Sequence, residues 1–242
     1  MLTELADESI GMNSLVAFFD ILGTRELVKR RQFSDFHSLD FANPAGIAAL
    51  QYPEMRFAAF SDSVVVSCDA GSARHLLSVL NMLCINWQAD FIFVRGGLTL
   101  GEITWVDEPH SDKLFRRAEN FACARMYGSA LVEAFELQEK SGPGAVCFVS
   151  EAASRVLEDS VPHTVLRGPT NVLAWPTPNE IAHLRKTFNL LLNETSCPVE
   201  LRRHVRASEH YLALMEQNGL ALPTELSYYE RAKAQSKRKA SG

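Results

Sequence analysis

Two short apolar segments of this chain are each interrupted by one aspartate, and that arrangement restricts the folds open to it. Residues 14–20 form a continuous apolar run that ends at Asp20, and residues 56–68 form a second run broken at Asp62. Short apolar runs of this kind are typical of buried β-strands. A carboxylate removed from water is costly unless a cation or hydrogen bonds replace its hydration. The pair therefore predicts two ligands of one divalent-metal site that handles phosphates.

The composition is that of a globular protein with a core of its own. The chain has 242 residues, of which 47% are hydrophobic and 22% charged, and its net charge is −5. This length allows one large domain, or one domain with a helical appendage. The negative balance does not indicate a basic nucleic-acid-binding surface, so we expect no nucleic-acid partner. The short basic segment 231–239 is interpreted as a solvated tail.

The cysteines and the apolar stretches indicate the compartment. The five cysteines are odd in number, widely spaced and without a CxxC pair, so a structural zinc site is not expected. No apolar stretch approaches the roughly 20 residues that span a bilayer, and the first residues lack the layout of a signal peptide. We therefore expect a reduced, cytoplasmic protein with no membrane partner.

Hydrophobic periodicity predicts alternating strands and helices. The predicted strands cover residues 14–20, 56–68 (as a strand or hairpin), 91–105 and 145–149. The predicted helices cover residues 25–31, 73–89 with Ser72 as N-cap, 128–140, and a segment that begins at Ser150. Residues 33–53 contain Asn-Pro and Tyr-Pro pairs and are interpreted as a loop with one helical turn.

This alternation predicts an α+β fold in which helices cover a sheet. Residues 179–230 are almost wholly helical in pattern, with breaks at Pro198 and Pro223. The sequence thus predicts a catalytic domain over residues 1–178 and a helical extension with a basic tail over 179–242.

The turn after Asp20 is the expected phosphate cradle. A helix that begins just after this residue would offer the free backbone N–H groups of Leu22, Gly23 and Thr24 at its positive end. Gly23 would let phosphate oxygens approach the backbone. The Ile21 carbonyl is a candidate metal ligand beside the two aspartates.

Arg95 is the candidate cation for the phosphates. It lies in the segment Arg95-Gly96-Gly97, where the glycines indicate that something approaches the strand closely. A guanidinium pairs well with phosphate oxygens. A structural alternative for Arg95 is an ion pair with a carboxylate such as Glu102.

Four segments of the chain resemble the motifs of the class III nucleotidyl cyclases. The family's Phe-x-Asp-Ile-x-x-Phe-Thr, Gly-Asp-Ser, Arg-x-Gly-Ile-x-x-Gly and Gly-x-x-Val-Asn-x-Ala-x-x-Leu are matched, in order, by residues 18–24, 61–63, 95–101 and 128–137. The resemblance implies a ferredoxin-like βαββαβ core and two Mg²⁺ or Mn²⁺ ions held by Asp20, Ile21 and Asp62. It also implies a head-to-tail homodimer with active sites at the interface.

The chain departs from the family pattern at several positions. Ser61 replaces the glycine before the second aspartate, and the transition-state Asn and Arg align with Val132 and Glu136. The lysine that selects adenine aligns with Ala58, and the acidic base-reading position aligns with Arg125. A donor at Arg125 suits a carbonyl-rich base such as uracil.

With its compact single-domain form, its Asp-Ile-Leu-Gly, Ser-Asp-Ser and Tyr127-Gly128 segments and its changed Asn/Arg pair, the chain most resembles the pyrimidine cyclases of the bacterial Pycsar antiphage systems. That resemblance implies conversion of UTP, or less favourably CTP, to a 3′,5′-cyclic mononucleotide and pyrophosphate. The product would then activate a separate effector protein. Arg56 is a further candidate for base or phosphate contact. The residues that could replace the missing transition-state arginine, supplied by the partner chain, are Arg116, Arg117 and Arg125.

Two other functions stay open. One is a catalytically silent cyclase-fold module that binds a nucleotide as a sensor, which the loss of Asn and Arg at Val132 and Glu136 favours. The other is a purine cyclase that makes cyclic AMP or cyclic GMP. Retention of both aspartates favours an active enzyme over the sensor.

Overall fold

The computed structural model describes residues 13–29, 35–106, 126–193, 197, 199–228 and 230–231. The strands in these ranges are β1 (Ser14–Ile21), β2 (Arg56–Phe60), β3 (Ser63–Asp69), β4 (Val94–Gly101), β5 (Thr104–Trp105), β6 (Met126–Tyr127), β7 (Cys147–Val149), β8 (Val165–Leu166) and β9 (Asn171–Leu173). The α-helices are α1 (Thr24–Lys29), α2 (Asp35–Gln51), α3 (Ala73–Ala89), α4 (Ser129–Lys140), α5 (Glu151–Ser160), α6 (Pro178–Asn193) and α7 (Val199–Gln217). None of the helices in these ranges combines the length and apolar character that a bilayer crossing requires.

Seven of the strands form one mixed sheet in the order β2-β3-β1-β4-β7-β9-β8. Strand β1 is central and pairs antiparallel with both β3 and β4, while β2 and β3 form an antiparallel hairpin. Helices α1 and α2 connect β1 to β2, and α3 connects β3 to β4. This is the predicted α+β fold with a ferredoxin-like βαββαβ core. The β8–β9 pair extends the far edge and was not predicted from the sequence.

The two faces of β1 pack against different clusters. Leu15, Ala17 and Phe19 belong to the large core, which α2, α3 and α5 to α7 also line. Val16 and Phe18 belong to a smaller cluster with Ala130 and Ala134 of α4. Successive side chains of a strand point to opposite faces, so Asp20 shares the α4 face with Val16 and Phe18. The candidate metal ligand therefore lies on the face that carries α4.

The prediction of a loop over residues 33–53 is wrong, because residues 35–51 form α2. Pro44 lies inside this helix and locally disfavours it by removing a backbone donor. The helix is held by tertiary contacts: the Phe41 ring stacks on Trp87 at 4.9 Å, and the Trp87 indole N–H donates to the Phe41 carbonyl at 2.8 Å. Buried Ala45 and Ala48 continue the same face.

The helix predicted over residues 73–89 is confirmed with the same bounds, and Ser72 occupies the N-cap position but does not cap the helix with its side chain. Ser72 makes no side-chain hydrogen bond to the helix, because residues 70–72 form a 3₁₀ turn that leads into α3. The predicted start at Ser150 is confirmed: its hydroxyl oxygen accepts the Ala153 N–H at 3.2 Å, as an N-cap does.

The helices predicted after residue 178 are confirmed as α6 and α7, followed by a 3₁₀ turn at Thr224–Leu226. Phe188 of α6 and both Val205 and Leu212 of α7 are buried in the same core as the sheet. The division of the chain at residue 178 stays a prediction.

Candidate active site

Asp20 and Asp62 lie at the same end of the sheet. Asp20 is the penultimate residue of β1, and Asp62 occupies the turn between β2 and β3. The Ile21 N–H donates to the Asp62 carbonyl at 3.0 Å, which ties that turn to the end of β1. Ser61 before it has a positive φ of 54°, so the turn is tight. The fold thus brings together two carboxylates that are 42 positions apart in the chain.

The environment of Asp20 disfavours its negative charge. Partial burial and the nearby Asp62 charge raise the pKa of Asp20 to about 6, although a hydrogen bond from Ser63 and the charge of Arg95 oppose the rise. The Ser63 hydroxyl donates to Asp20 Oδ1 at 3.3 Å. A carboxylate with a raised pKa beside a second carboxylate gains stability from a bound cation, which neutralises both.

We expect Asp20→Asn to stabilise the metal-free protein at neutral pH by about 1–2 kcal/mol, after allowance for solvent screening of this partly exposed group. The folded protein holds the Asp20 proton up to about pH 6, whereas the unfolded chain releases it near 3.8. Wild-type stability should therefore fall as the pH rises through that window, and the variant should lack this component. Denaturant unfolding at several pH values with a chelator present measures it. Parallel pH profiles of the two proteins would contradict the assignment.

Arg95 lies beside Asp20 at the start of β4, and the two residues are direct neighbours in the strand register. Its Nη1 donates to the Gly142 carbonyl at 3.3 Å, and its buried Nε has no hydrogen-bond partner within the described ranges. Burial lowers the pKa of Arg95, and the Asp20 charge opposes that effect. Glu102, the alternative partner, is exposed, and the acceptor of the Arg95 Nη1 donor is the Gly142 carbonyl instead. A half-buried guanidinium with an unused donor is suited to an anion such as phosphate.

The turn after β1 differs in part from the expected cradle. The Leu22 N–H donates to the Phe93 carbonyl at 2.7 Å, so it is not a free donor and that expectation is wrong. Gly23 has a φ of 85°, which favours glycine, and no atom lies within 4 Å of a Cβ placed there. The Thr24 hydroxyl donates to the Ile21 carbonyl at 3.0 Å, which leaves that oxygen a second lone pair.

Arg56 and Arg125 are the two candidates for contact with the base, and neither is seen at this site in the described part of the chain. Arg56 pairs with Ser67 at the start of β2, whereas Asp20 pairs with Ser63, four residues away along β3. At ~3.3 Å per residue, Arg56 lies about 13 Å further along the sheet. Arg125 lies outside the described residues, as do Arg116 and Arg117.

Helix α4 packs very closely on β4. A Cβ at Gly97 would lie 2.1 Å from the Ala134 carbonyl oxygen, so the close approach expected there is made by the α4 backbone. At Gly96 the close neighbour is the Phe19 ring, 2.5 Å from the position of a Cβ. Val132 is 58% exposed, and Glu136 pairs with Lys140 at 3.0 Å on the same outer surface. The two positions that align with the transition-state pair of the cyclases therefore face outward.

The residues at this end of the sheet fit a hard divalent cation. In the described part of the chain no three His, Cys, Asp or Glu side chains cluster as a metal site. Two carboxylates and the Ile21 carbonyl are nonetheless oxygen ligands of the kind that Mg²⁺ and Mn²⁺ prefer, and such ions commonly complete their shells with water and substrate phosphates.

Sequence reasoning missed the side chains and carbonyls that support these residues. Ser63 was visible as part of Ser61-Asp62-Ser63 but had no assigned role. The Gly142 carbonyl and the α7 residues behind it are brought in by the tertiary fold, and no local pattern marks them.

Comparisons with known proteins give structural similarities only. No protein-family model and no curated protein sequence matches the chain. The guanylyl cyclase domain of the RhoGC fusion protein from the aquatic fungus Blastocladiella emersonii is 11% identical, with 67% of this chain and 96% of that one covered and a TM-score of 0.49. An adenylyl cyclase from P. aeruginosa is 17% identical, with 66% and 91% covered and a TM-score of 0.45.

A bacterial light-regulated adenylyl cyclase is 12% identical, with 60% of this chain covered and a TM-score of 0.47. The aligned part of this chain spans 45% of the length of that structure. These similar structures are nucleotidyl cyclases.

Proposed function

We propose that this protein is a nucleotidyl cyclase that converts a nucleoside triphosphate to a 3′,5′-cyclic mononucleotide and pyrophosphate. The observation that carries the proposal is the meeting of Asp20 and Asp62 beside Arg95 at one end of the sheet. A pair of carboxylates next to a half-buried cation suits a metal-bound triphosphate. The four motifs, which follow the order and intervals of the cyclase motifs across residues 18–137, support the same reaction.

Each residue of the site has a distinct task in this reaction. Asp20 and Asp62, with the Ile21 carbonyl, would hold two Mg²⁺ or Mn²⁺ ions. Bound there, the ions would lower the pKa of the ribose 3′-hydroxyl that attacks the α-phosphorus and would neutralise the leaving pyrophosphate. Arg95 binds non-bridging phosphate oxygens through its unused donors.

Ser63 and the turn residues complete the arrangement. The Ser63 hydroxyl donates to Asp20 and so fixes one carboxylate oxygen. The backbone N–H groups of Gly23 and Thr24 supply donors for the triphosphate, while the Leu22 N–H holds the turn against Phe93.

The proposed substrate is UTP, with CTP as the less favoured alternative, because Arg125 offers a donor where purine cyclases of the family have an acid. The cyclic product would act as a second messenger in antiphage defence and would activate a cyclic-nucleotide-responsive effector protein. A purine cyclase is the alternative that the same metal site would serve equally well.

A homodimer with active sites at its interface belongs to this proposal. On the outer surface of α4 and on β6, large apolar side chains are exposed: Tyr127 by 62%, Val132 by 58% and Phe135 by 45%. Exposed apolar groups gathered on one surface favour a partner protein there. A partner chain would also supply cations that the Val132 and Glu136 positions lack.

A catalytically silent nucleotide sensor is the second candidate function. It is favoured because Val132 and Glu136 stand where the cyclases have their transition-state Asn and Arg. Incubation of the protein with each of the four ribonucleoside triphosphates and Mn²⁺, followed by mass analysis of the products, distinguishes the candidates. We expect cyclic UMP, and cyclic AMP or cyclic GMP would instead identify a purine cyclase. Metal-dependent binding without any cyclic product would favour the sensor.

A further inference from the structure

The α7 helix lies behind the segment that receives Arg95. Residues 141–146 run from the end of α4 into β7 and supply the Gly142 carbonyl that accepts the Arg95 Nη1 donor at 3.3 Å. The Gly96 N–H next to Arg95 donates to Val146 of the same segment at 2.9 Å. The position of the Arg95 guanidinium therefore depends on where this segment lies.

The segment has little rigidity of its own. Its sequence is Ser-Gly-Pro-Gly-Ala-Val, and both glycines adopt positive φ values, 114° at Gly142 and 133° at Gly144. Glycine has the largest conformational freedom in the unfolded and locally unfolded chain. Because many other conformations are open to these glycines, neighbouring groups have to select the one adopted here.

Helix α7 supplies the groups that fix the segment. The Gly144 N–H donates to His204 Nδ1 at 3.2 Å, and the Ala145 N–H donates to Ser208 Oγ at 2.7 Å. Both side chains are buried, and the Tyr211 ring packs 3.4 Å from the position of a Gly144 Cβ. Without these acceptors, two backbone donors would be buried without partners.

His204 is held in the form that this role needs. Burial, followed by the Arg203 and Arg95 charges, lowers the pKa of His204 to about 4. The imidazole is therefore neutral at physiological pH. The Gly144 N–H requires the tautomer with its proton on Nε2, so the Arg203 Nε, which lies 3.2 Å from Nε2, cannot donate to that nitrogen at the same time. The effect of the Arg95 charge also shows that the two side chains lie within electrostatic reach of each other.

We infer that His204 and Ser208 of α7 are positioning residues for Arg95 and act through the segment of residues 141–146. The helix that follows the sheet thus sets the geometry of the phosphate-binding end of the site. This inference rests on the proposed function in one respect, since that function gives Arg95 its phosphate to bind.

The test measures binding of inorganic tripolyphosphate with Mn²⁺ by calorimetry, since this probe needs neither a base nor turnover. We expect His204→Leu and Ser208→Ala to weaken binding about tenfold, the cost of losing a charge-assisted contact. His204→Asn should restore most of the affinity, because its Oδ1 can accept where Nδ1 did. Met215→Ala is the matched control: it opens a cavity in the same helix, one turn beyond Tyr211, and should leave the affinity unchanged.

A double-variant cycle separates positioning from a general structural effect. In an Arg95→Ala background, His204→Leu should weaken tripolyphosphate binding no further. Equal losses in both backgrounds would overturn the inference. The ¹⁵Nε–¹Hε signal of Arg95, assigned by its loss in Arg95→Lys, should shift in His204→Leu and stay in place in Met215→Ala. An unchanged signal in His204→Leu would also overturn the inference.

The same measurements distinguish failure of this inference from failure of the proposed function. A wild-type protein that binds tripolyphosphate but cyclises no nucleotide would refute the cyclase, and the double-variant cycle would still decide the role of His204. A wild-type protein that binds no tripolyphosphate would refute the phosphate site, and the Arg95 signal alone would then decide whether α7 positions that side chain.

Discussion

Asp62→Ala is expected to reduce cyclase turnover by about 10³-fold or more while the protein stays folded. The residue lies in the hairpin turn, and its backbone carbonyl, which accepts the Ile21 N–H, is retained in the variant. The fold therefore keeps the tie between the turn and β1, and only the carboxylate is lost. Product formation from UTP with Mn²⁺, measured by mass, gives the turnover, and circular dichroism checks the fold.

Asp69→Ala is the matched control for this experiment. Asp69 ends the same β3 strand at its opposite end, is exposed, and makes no side-chain cap hydrogen bond. The variant removes the same charge from the same hairpin, so we expect wild-type turnover. A folded Asp62→Ala protein that retains activity would contradict the proposed metal site.

Gly97→Ala is expected to lower the free energy of unfolding by about 3 kcal/mol or more, the upper range for forced overpacking. The new methyl group would lie 2.1 Å from the Ala134 carbonyl oxygen and 3.0 Å from the Gln138 nitrogen. These are backbone atoms of α4, so the helix as a whole has to move. Denaturant unfolding measures the loss.

Gly46→Ala provides the contrast. Gly46 lies in α2 with no atom within 4 Å of a Cβ, and alanine is the better helix former by about 0.5–1 kcal/mol. We expect this variant to be at least as stable as the wild type. If Gly97→Ala also kept the wild-type unfolding energy, the close packing of α4 on β4 would be wrong.

The central strands could be predicted because their local pattern and their tertiary environment agree. The apolar run that ends at Asp20 is buried on both faces, as such a run requires, and the hairpin around Asp62 follows from its turn residues. Asp20, Asp62 and Arg95 can be recognised in the sequence because charged groups beside apolar strands need partners. The register of β1 with its two neighbours then brings them together.

The α2 helix could not be predicted by the same reasoning because its local signals oppose its tertiary contacts. Asn43-Pro44 and Gly46 favour a turn, whereas burial of Phe41 and Ala45 against α3 favours a helix. The spacing of Phe41, Ala45 and Ala48 was the available signal for a helical face.

The hydrogen-bond partners of individual backbone groups could not be predicted from the sequence either. Whether the Leu22 N–H is free depends on Phe93, which is 71 positions away. The contacts of His204 and Ser208 with residues 144 and 145 are likewise long-range, and nothing local to α7 indicates them.

The C-terminal contacts of α3 have a consequence for synthesis of the chain. Buried Ser78 donates to the Leu226 carbonyl at 2.7 Å, and buried Asn81 accepts the Tyr228 N–H at 3.3 Å. These bonds join residues 147–148 positions apart, so a nascent chain that already contains β1, β3 and β4 still lacks the partners of two core polar groups. Contacts of such long sequence separation form late. During translation, the segments that carry Asp20, Asp62 and Arg95 would exist well before residues 226–228 could complete these two bonds.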